Sequence, residues 1–424
     1  MKYLFVHQNF PGQYLHIIRH LIARPGNEVA FISEPNKNNI PGVRRVNYTI
    51  ADADRDAAHP TLRDLNLAML RAAAVGRMGR NLKDLGFHPD IIIGHHGWGE
   101  LLNLVDVFPG VPILGYFEFY YATAGTDVGF DAEFPTAEDQ FPRIRAMNGV
   151  NLLALALNQH GQTPTTWQRS LYPEWARPQI HLLPEGVPLD ICTPDPAARK
   201  TPLTIGNFTI GPKDRLITYV ARNLEPYRGF HVMMRALPAI LRSRPDAKVV
   251  MLGGDDVSYG ARVANTTWRA HFEGELAGTY DTSRVLMPGQ VPYDVHVSLL
   301  KRSDVHVYLT YPFVLSWSLR EAMACGCTII GADVDPVREF ITDGQTGLIT
   351  PCLDPKRLAD RVLDLLEDRK LAARLGRGAR AFAETNLDMG RYIGSYEQLI
   401  ASLTGRPLAA APAPRRRTRK PKPA

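Results

Sequence analysis

Residues Phe313–Ile349 read FVLSWSLREAMACGCTIIGADVDPVREFITDGQTGLI. The spacing predicts a loop through Ser316-Trp317-Ser318 that enters a helix at Leu319-Arg320-Glu321-Ala322-Met323-Ala324. Gly326 stops that helix, and the β-rich run Thr328–Ile330 ends at Gly331. Loop, helix and strand in this order make half of a βαβ unit. The start of such a helix leaves backbone N–H groups without intrahelical partners, which suits an anion such as a diphosphate. Glu321, in the first turn, is placed to hold ribose hydroxyls beside it.

Alternation of strand and helix extends outward from this unit. Leu216–Val220, Lys248–Leu252, Val285–Met287, Val305–Leu309 and Leu348–Ile349 are short β-rich runs, and Gly229–Arg242, Pro355–Leu366 and Leu371–Glu384 carry helical patterns. The first half repeats the scheme. Tyr3–His7, Glu28–Ser33, Ile91–Gly94 and Ile113–Tyr116 read as buried parallel strands, with a long helix over Leu62–Gly86 whose Leu67, Leu70, Ala74 and Met78 fall at helical spacing. Two alternating series joined by a Pro-rich stretch from Pro184 to about Thr204 predict an α/β protein. Its two Rossmann-like domains would have parallel sheets facing an interdomain cleft, where ligands bind beyond the strand ends. The expected division is 1–190, 205–385, a helix over 386–403 and a tail over 404–424. A chain of 424 residues is long enough for two cores.

The net charge of +6 is concentrated at one end. Arg415, Arg416, Arg417, Arg419, Lys420 and Lys422 lie in APAPRRRTRKPKPA (411–424), and without those six the chain holds 43 bases against 43 acids. A Pro/Ala/Arg tail cannot bury a core. Its expected partner is an anionic membrane surface, peripherally, through 415–422. A merely solubilising role is the plain alternative. Nucleic acid is disfavoured, because the neutral body shows no second basic patch. The apolar run Asn151–Leu157 is far shorter than the roughly 18 residues of a membrane span. The start of the chain lacks the features of a secretory signal, so a cytoplasmic location is expected. Cys192, Cys325, Cys327 and Cys352 offer neither a disulfide framework nor a zinc spacing and read as small core residues.

Chemistry-bearing residues cluster after the strands. Arg222 and Arg228 flank a turn before a helix, and guanidinium forks suit the charge that grows on a departing diphosphate. Gly12, after the first strand, would let backbone approach a ligand closely. His95 and His96 follow one strand and Glu118 another. A carboxylate there could orient a hydroxyl or act as a base. Asp255-Asp256 and Asp333-Val334-Asp335 invite a metal reading, but no His or further carboxylate stands near them in sequence. The expectation is no metal and no cofactor.

Glu321-Ala-Met-Ala-Cys-Gly326, the following strand and the turn Asp343-Gly344-Gln345-Thr346-Gly347 resemble the donor-binding domain of glycosyltransferase family 4, a retaining group with the GT-B fold. The likeness covers residues 1 to about 403 and is strongest over 180–350. Pro184-Glu185-Gly186-Val187 is similar to the family's usual Pro-Asn-Gly-Val linker, and 390–402 to its helix that crosses back to the first domain. The resemblance implies a nucleotide-sugar donor held by Gly12, Arg222, Arg228, Val291, Ser316, Trp317, Ser318, Leu319 and Glu321. Val291 belongs to a Gly-x-Val-Pro stretch that lines the base. The acceptor, a glycan or lipid-linked molecule as in polysaccharide biosynthesis, would meet Glu118 and His96. The catalytic set is then Glu118, His96, Arg222 and Arg228. Phe313 departs from the pattern. The family carries Glu there, reaching the transferred sugar, and Arg228 stands where Lys is usual. Two alternatives accompany the transferase: a sugar-nucleotide epimerase of the same fold, and a nucleotide-sugar-binding protein without transfer.

Overall fold

The computed structural model describes residues 1–51 and 59–406, so the basic tail lies outside the described residues. Seven strands form the first sheet: β1 (Lys2–Val6), β2 (Glu28–Ser33), β3 (Val43–Asn47), β4 (Ile91–His95), β5 (Ile113–Tyr116), β6 (His160–Thr163) and β7 (Ile180–Leu182). Their order is β3-β2-β1-β4-β5-β6-β7, and every pairing is parallel. After a small antiparallel hairpin, β8 (Leu203–Ile205) and β9 (Phe208–Ile210), a second sheet follows. It contains β10 (Arg215–Asn223), β11 (Ala247–Gly254), β12 (Val285–Gly289), β13 (Val305–Tyr308), β14 (Ile329–Ala332) and β15 (Leu348–Thr350), in the order β12-β11-β10-β13-β14-β15, again all parallel. Two doubly wound α/β halves facing one another are the GT-B architecture. In each, the strand order reverses beside the first strand, and both reversals open a crevice at the strands' carboxyl ends.

The central strands are buried on both sides and read as apolar runs: Leu4, Phe5 and Val6 of β1 and Ile91, Ile92 and Ile93 of β4 are fully enclosed. Three strands of the first sheet escaped the sequence reading, as did the β8–β9 hairpin. β3 (VRRVN) is a half-exposed edge, β6 (HGQT) has no apolar residue at all, and β7 has only three residues. Their pairing partners, rather than their own composition, make them strands.

Of the four positions expected to pack, Ala74 of the helix Arg63–Asp84 is buried and Met78 packs against the same core, while Leu67 and Leu70 stay only partly buried. Ala68, Ala72, Val75, Gly76 and Gly79 complete the buried face. A Cβ at Gly79 would sit 2.9 Å from Leu104, and small residues let this helix approach the segment after β4 that closely. The last helix, Met389–Thr404, lays Tyr392, Tyr396 and Ile400 into the core of the first sheet among Tyr3, Phe5, Tyr14 and Ile18. This helix therefore returns the chain to its first half.

A third connection joins the halves. Beyond β5, residues 119–137 run without helix or strand across the second domain. Phe119 is counted in that domain's core. The Tyr227 hydroxyl donates to Asp127 (2.6 Å), the Tyr311 hydroxyl to Asp131 (2.6 Å), and Arg235 grips both Glu133 oxygens (2.6 Å each).

Candidate functional site

The helix at the centre of the quoted stretch begins earlier than its sequence suggests, running from Trp317 to Ala324. Ser316 is its N-cap: extended backbone, with the side-chain oxygen accepting from the Ser318 N–H at 3.3 Å. Trp317 and Ser318 are thus helical, not loop. The expected row of vacant amides is partly used. Ser316 N–H donates to the Tyr308 hydroxyl (2.7 Å), and Leu319 N–H turns back to the Ser316 carbonyl (3.3 Å). The two 3.3 Å contacts are long, and an ionised phosphate oxygen is the stronger acceptor. Glu321 is oriented by His296, whose Nε2 lies 2.8 Å from its carboxylate. Val291 sits in the loop after β12 and leans on the core formed by Leu216, Val250, Leu252 and Leu299.

Arg222 is the penultimate residue of β10, and Arg228 lies in the turn that follows it. Arg222 is exposed; Arg228 is buried, donating from Nη1 to Thr310 Oγ1 and the Val314 carbonyl at 2.9 Å each. The Arg228 guanidinium lies 5.1 Å from the Tyr259 ring centroid and 5.9 Å from that of Phe313. Burial raises the Tyr259 phenol pKa, while the charges of Arg228 and Arg222 pull it back, so both guanidinium groups bear on this one ring. Glu225, fully buried, holds the Tyr259 loop by accepting from the N–H groups of Ser258 (3.0 Å) and Gly260 (2.9 Å). Sequence reasoning missed Glu225, although a carboxylate between two arginines was a visible signal.

The opposing wall belongs to the first domain. Gly12 has φ +56°, and a Cβ there would stand 3.0 Å from the His7 ring, so glycine is required twice over. His7 accepts the Asn9 N–H at Nδ1 (2.9 Å) and meets the His95 ring edge-on at 5.5 Å. Burial, helped by the neighbouring His95, pushes the His7 pKa down to about 3. His95 Nδ1 accepts from the Gly97 N–H (3.2 Å), which leaves Nε2 to donate to Glu118 at 3.3 Å. Burial raises the Glu118 pKa. The hydrogen bond from His95, helped by the Arg228 guanidinium, outweighs it, and the carboxyl ends below its ordinary range. Gly12, His7, His95 and Glu118 therefore form one row, and Arg228 acts on its end from the other domain.

His96 is not part of that row. It is fully buried, hydrogen-bonded through Nε2 to the Val150 carbonyl (3.0 Å) and stacked on Phe117 (4.9 Å). Burial lowers its pKa to about 4. Adjacent residues leave a strand end on opposite faces, and His95 has the cleft face.

The position of the expected sugar-contacting glutamate is aromatic. Phe313 packs against Phe119 (4.4 Å), Tyr259 (4.7 Å) and Tyr227 (5.1 Å) and is 3% exposed. As for cations, the acids of the metal-like patterns face arginines: Asp256 with Arg262 (2.6 Å), Asp255 with Arg269 (3.7 Å) and Asp333 with Arg338 (2.6 Å). Asp131, Glu133 and His231 bring ligand atoms within 4.8 Å of one another. Glu133 is already paired with Arg235 and Asp131 accepts the Tyr311 hydroxyl, a donor set built for the interdomain strap. The four cysteines are buried and free.

Residues 25–192 match the model described as Glycosyl transferase family 4 group, and residues 205–382 that described as Glycosyl transferases group 1. The chain belongs to these glycosyltransferases. Among curated proteins it is similar to phosphatidyl-myo-inositol mannosyltransferase of Mycolicibacterium smegmatis, 29% identical over 163 residues, which is 38% of either chain. The matched part spans between a third and a half of the length of such relatives. The fold is shared with sucrose-phosphate synthase from Thermosynechococcus elongatus: TM-score 0.72, 17% identity, 96% of this chain and 99% of that one. Anabaena HepE, solved with UDP-glucose, superposes with TM-score 0.64 at 15% identity, over 95% of this chain and all of the other. Within this glycosyltransferase, among the described residues, no helix is long and apolar enough to cross a membrane.

Proposed function

We propose that this glycosyltransferase moves a sugar from a nucleotide-sugar to an acceptor hydroxyl, without a metal and with retention at the anomeric carbon. One observation carries the reading: the Arg228 guanidinium is fixed on the Val314 carbonyl (2.9 Å), two residues before the Ser316 cap of the Trp317–Ala324 helix, and lies 5.1 Å from the Tyr259 ring, while the first domain presents the His95–Glu118 pair (3.3 Å). A diphosphate placed there meets two guanidinium groups and helix amides, where charge develops as the sugar leaves. Glu321, held by His296, faces the ribose in this reading. The bond between the anomeric carbon and the β-phosphate oxygen breaks, and the acceptor oxygen bonds to that carbon on the same face. The acceptor proton passes to the departing phosphate. Glu118, fixed by His95, orients the acceptor hydroxyl toward the reacting carbon.

HepE, solved with UDP-glucose, supports a nucleotide-sugar as donor. A glycan or lipid-linked acceptor fits the mannosyltransferase likeness and the basic tail. A thermal-shift panel of UDP-, GDP- and ADP-sugars tests the donor, since a ligand of the native state raises its stability. At least one should raise the melting temperature in wild type and not in Arg222→Ala. A panel that shifts nothing contradicts the proposal. A second reading, binding without transfer, is favoured by Phe313. It would prevail if a donor bound and neither hydrolysis nor transfer followed across an acceptor panel.

A further inference from the structure

Glu185 lies in the connection between the domains and is buried, at 7% exposure. Its Oε1 accepts from the Tyr116 hydroxyl (3.3 Å) at the end of β5. Its Oε2 accepts from the Trp317 indole N–H (3.1 Å) and ion-pairs with Arg320 (3.0 Å). One carboxylate thus joins the first sheet to two residues in the opening turn of the donor helix. Arg320 is 2% exposed, its guanidinium 5.3 Å over the Phe340 ring.

The linker that carries Glu185 has no freedom to drift. A Cβ at Gly186 would meet the Met389 Cα at 2.6 Å, and the Val187 N–H donates to the Leu387 carbonyl at 2.7 Å. The connection is pinned to the start of the last helix, which is itself packed on the first sheet. Glu185 is therefore a fixed post, and the Trp317–Ala324 helix is what it positions. Trp317 shows why this matters at the ligand. It is the first helical residue, half exposed at the helix mouth, yet its indole is tethered on the buried side. A hydrophobic side chain left half in water gains little from burial. The tether fixes its backbone amide instead.

We propose that Glu185 is a positioning residue for donor binding. It sets the start of the donor helix against the first domain, so that the helix amides and the Gly12 loop stand at the spacing one diphosphate spans. The inference rests on the donor reading above and adds to it a residue that need not touch the ligand. The carboxylate also neutralises Arg320, which would otherwise remain an uncompensated buried charge.

The test uses the full chain as wild type, Glu185→Gln, Trp317→Phe and the double variant, with UDP and GDP as probes. Glu185→Gln keeps the shape and one acceptor oxygen but removes the charge. Expected are a rise of about tenfold in the Kd of whichever nucleotide binds wild type, and a similar rise in KM for its sugar. The kcat should stay within about threefold. The tryptophan emission of Glu185→Gln should differ from that of wild type, and this difference should vanish in the Trp317→Phe background. A lowered melting temperature with unchanged Kd, KM and emission would make Glu185 a purely structural residue and overturn the proposal. If Glu185→Gln fails to fold, Tyr116→Phe, which removes only a hydrogen bond to Glu185, decides. A donor KM within about twofold of wild type overturns the proposal, and a larger rise supports it. Wild type that binds neither nucleotide removes the donor reading and this proposal together, whereas a normal Kd in Glu185→Gln removes the proposal alone.

Discussion

Phe313→Glu restores the residue usual in this glycosyltransferase family, and the structure predicts that it harms the protein. Phe313 is buried against Phe119, Tyr227 and Tyr259, with ring centroids 4.4–5.1 Å away. Truncating such a ring costs about 3–5 kcal/mol, and each aromatic pair adds about 0.5–1.5 kcal/mol beyond its buried area. A carboxylate would recover part of this from Arg228, whose guanidinium lies 5.9 Å from the ring centre. At that separation and an effective dielectric near 20, the attraction is about 3 kcal/mol. Desolvating the carboxylate costs several kcal/mol in turn, so the net loss is about 3 kcal/mol or more. For a domain of this size that is a fall of roughly 6–12 °C in melting temperature. Phe119 is the first-domain partner in this cluster, so the loss should also loosen the cleft and raise the donor KM. Differential scanning fluorimetry and nucleoside-diphosphate release on both proteins measure the two effects. A variant as stable as wild type that turns over faster would refute the reasoning and make Phe313 a lesion in a glutamate site.

Three further outcomes are expected. Arg222 is exposed, so Arg222→Ala should leave the melting temperature within about 2 °C and lower kcat/KM about 100-fold, by steady-state nucleotide release. Glu118→Gln should lower kcat/KM about 100-fold while the donor thermal shift persists; an equal loss of donor binding would place Glu118 on the wrong substrate. Buried His96 and His231 have pKa values pushed down to about 4 by burial, from an ordinary 6.5. The unfolded chain takes up their protons first, so their stability contribution is complete above about pH 6.5 and is lost as pH falls toward 4. Each contributes a slope of about 1.4 kcal/mol per pH unit in that window. Urea titrations of wild type and His96→Asn from pH 7.5 to 4.5 should differ in slope by one such increment.

The parallel architecture was legible because its central strands are apolar runs punctuated by Gly and Pro. β3, β6 and β7 were not, since an edge, a polar segment and a three-residue segment owe their conformation to neighbours. Glycine at position 12 and the body of the helix, Leu319–Ala324, could be placed from local pattern alone, whereas its true start at Trp317 could not. The choice between His95 and His96 could not, because it depends on which face of the sheet each side chain leaves. The strap residues Asp127, Asp131 and Glu133 find partners at Tyr227, Tyr311 and Arg235, about 100 or more positions away in the chain. No local signal predicts pairing at that distance. Glu185 did leave a trace, as the one difference from the usual Pro-Asn-Gly-Val linker. Its meaning required seeing Tyr116, Trp317 and Arg320 converge.

Crystallography of this glycosyltransferase with UDP or GDP bound tests the central claim most directly. The account predicts the diphosphate between the Gly12 loop and the start of the Trp317–Ala324 helix, within hydrogen-bonding reach of Arg222 and Arg228 and bridged by no cation. A diphosphate found elsewhere, or held in the cleft chiefly by a metal ion, would contradict it.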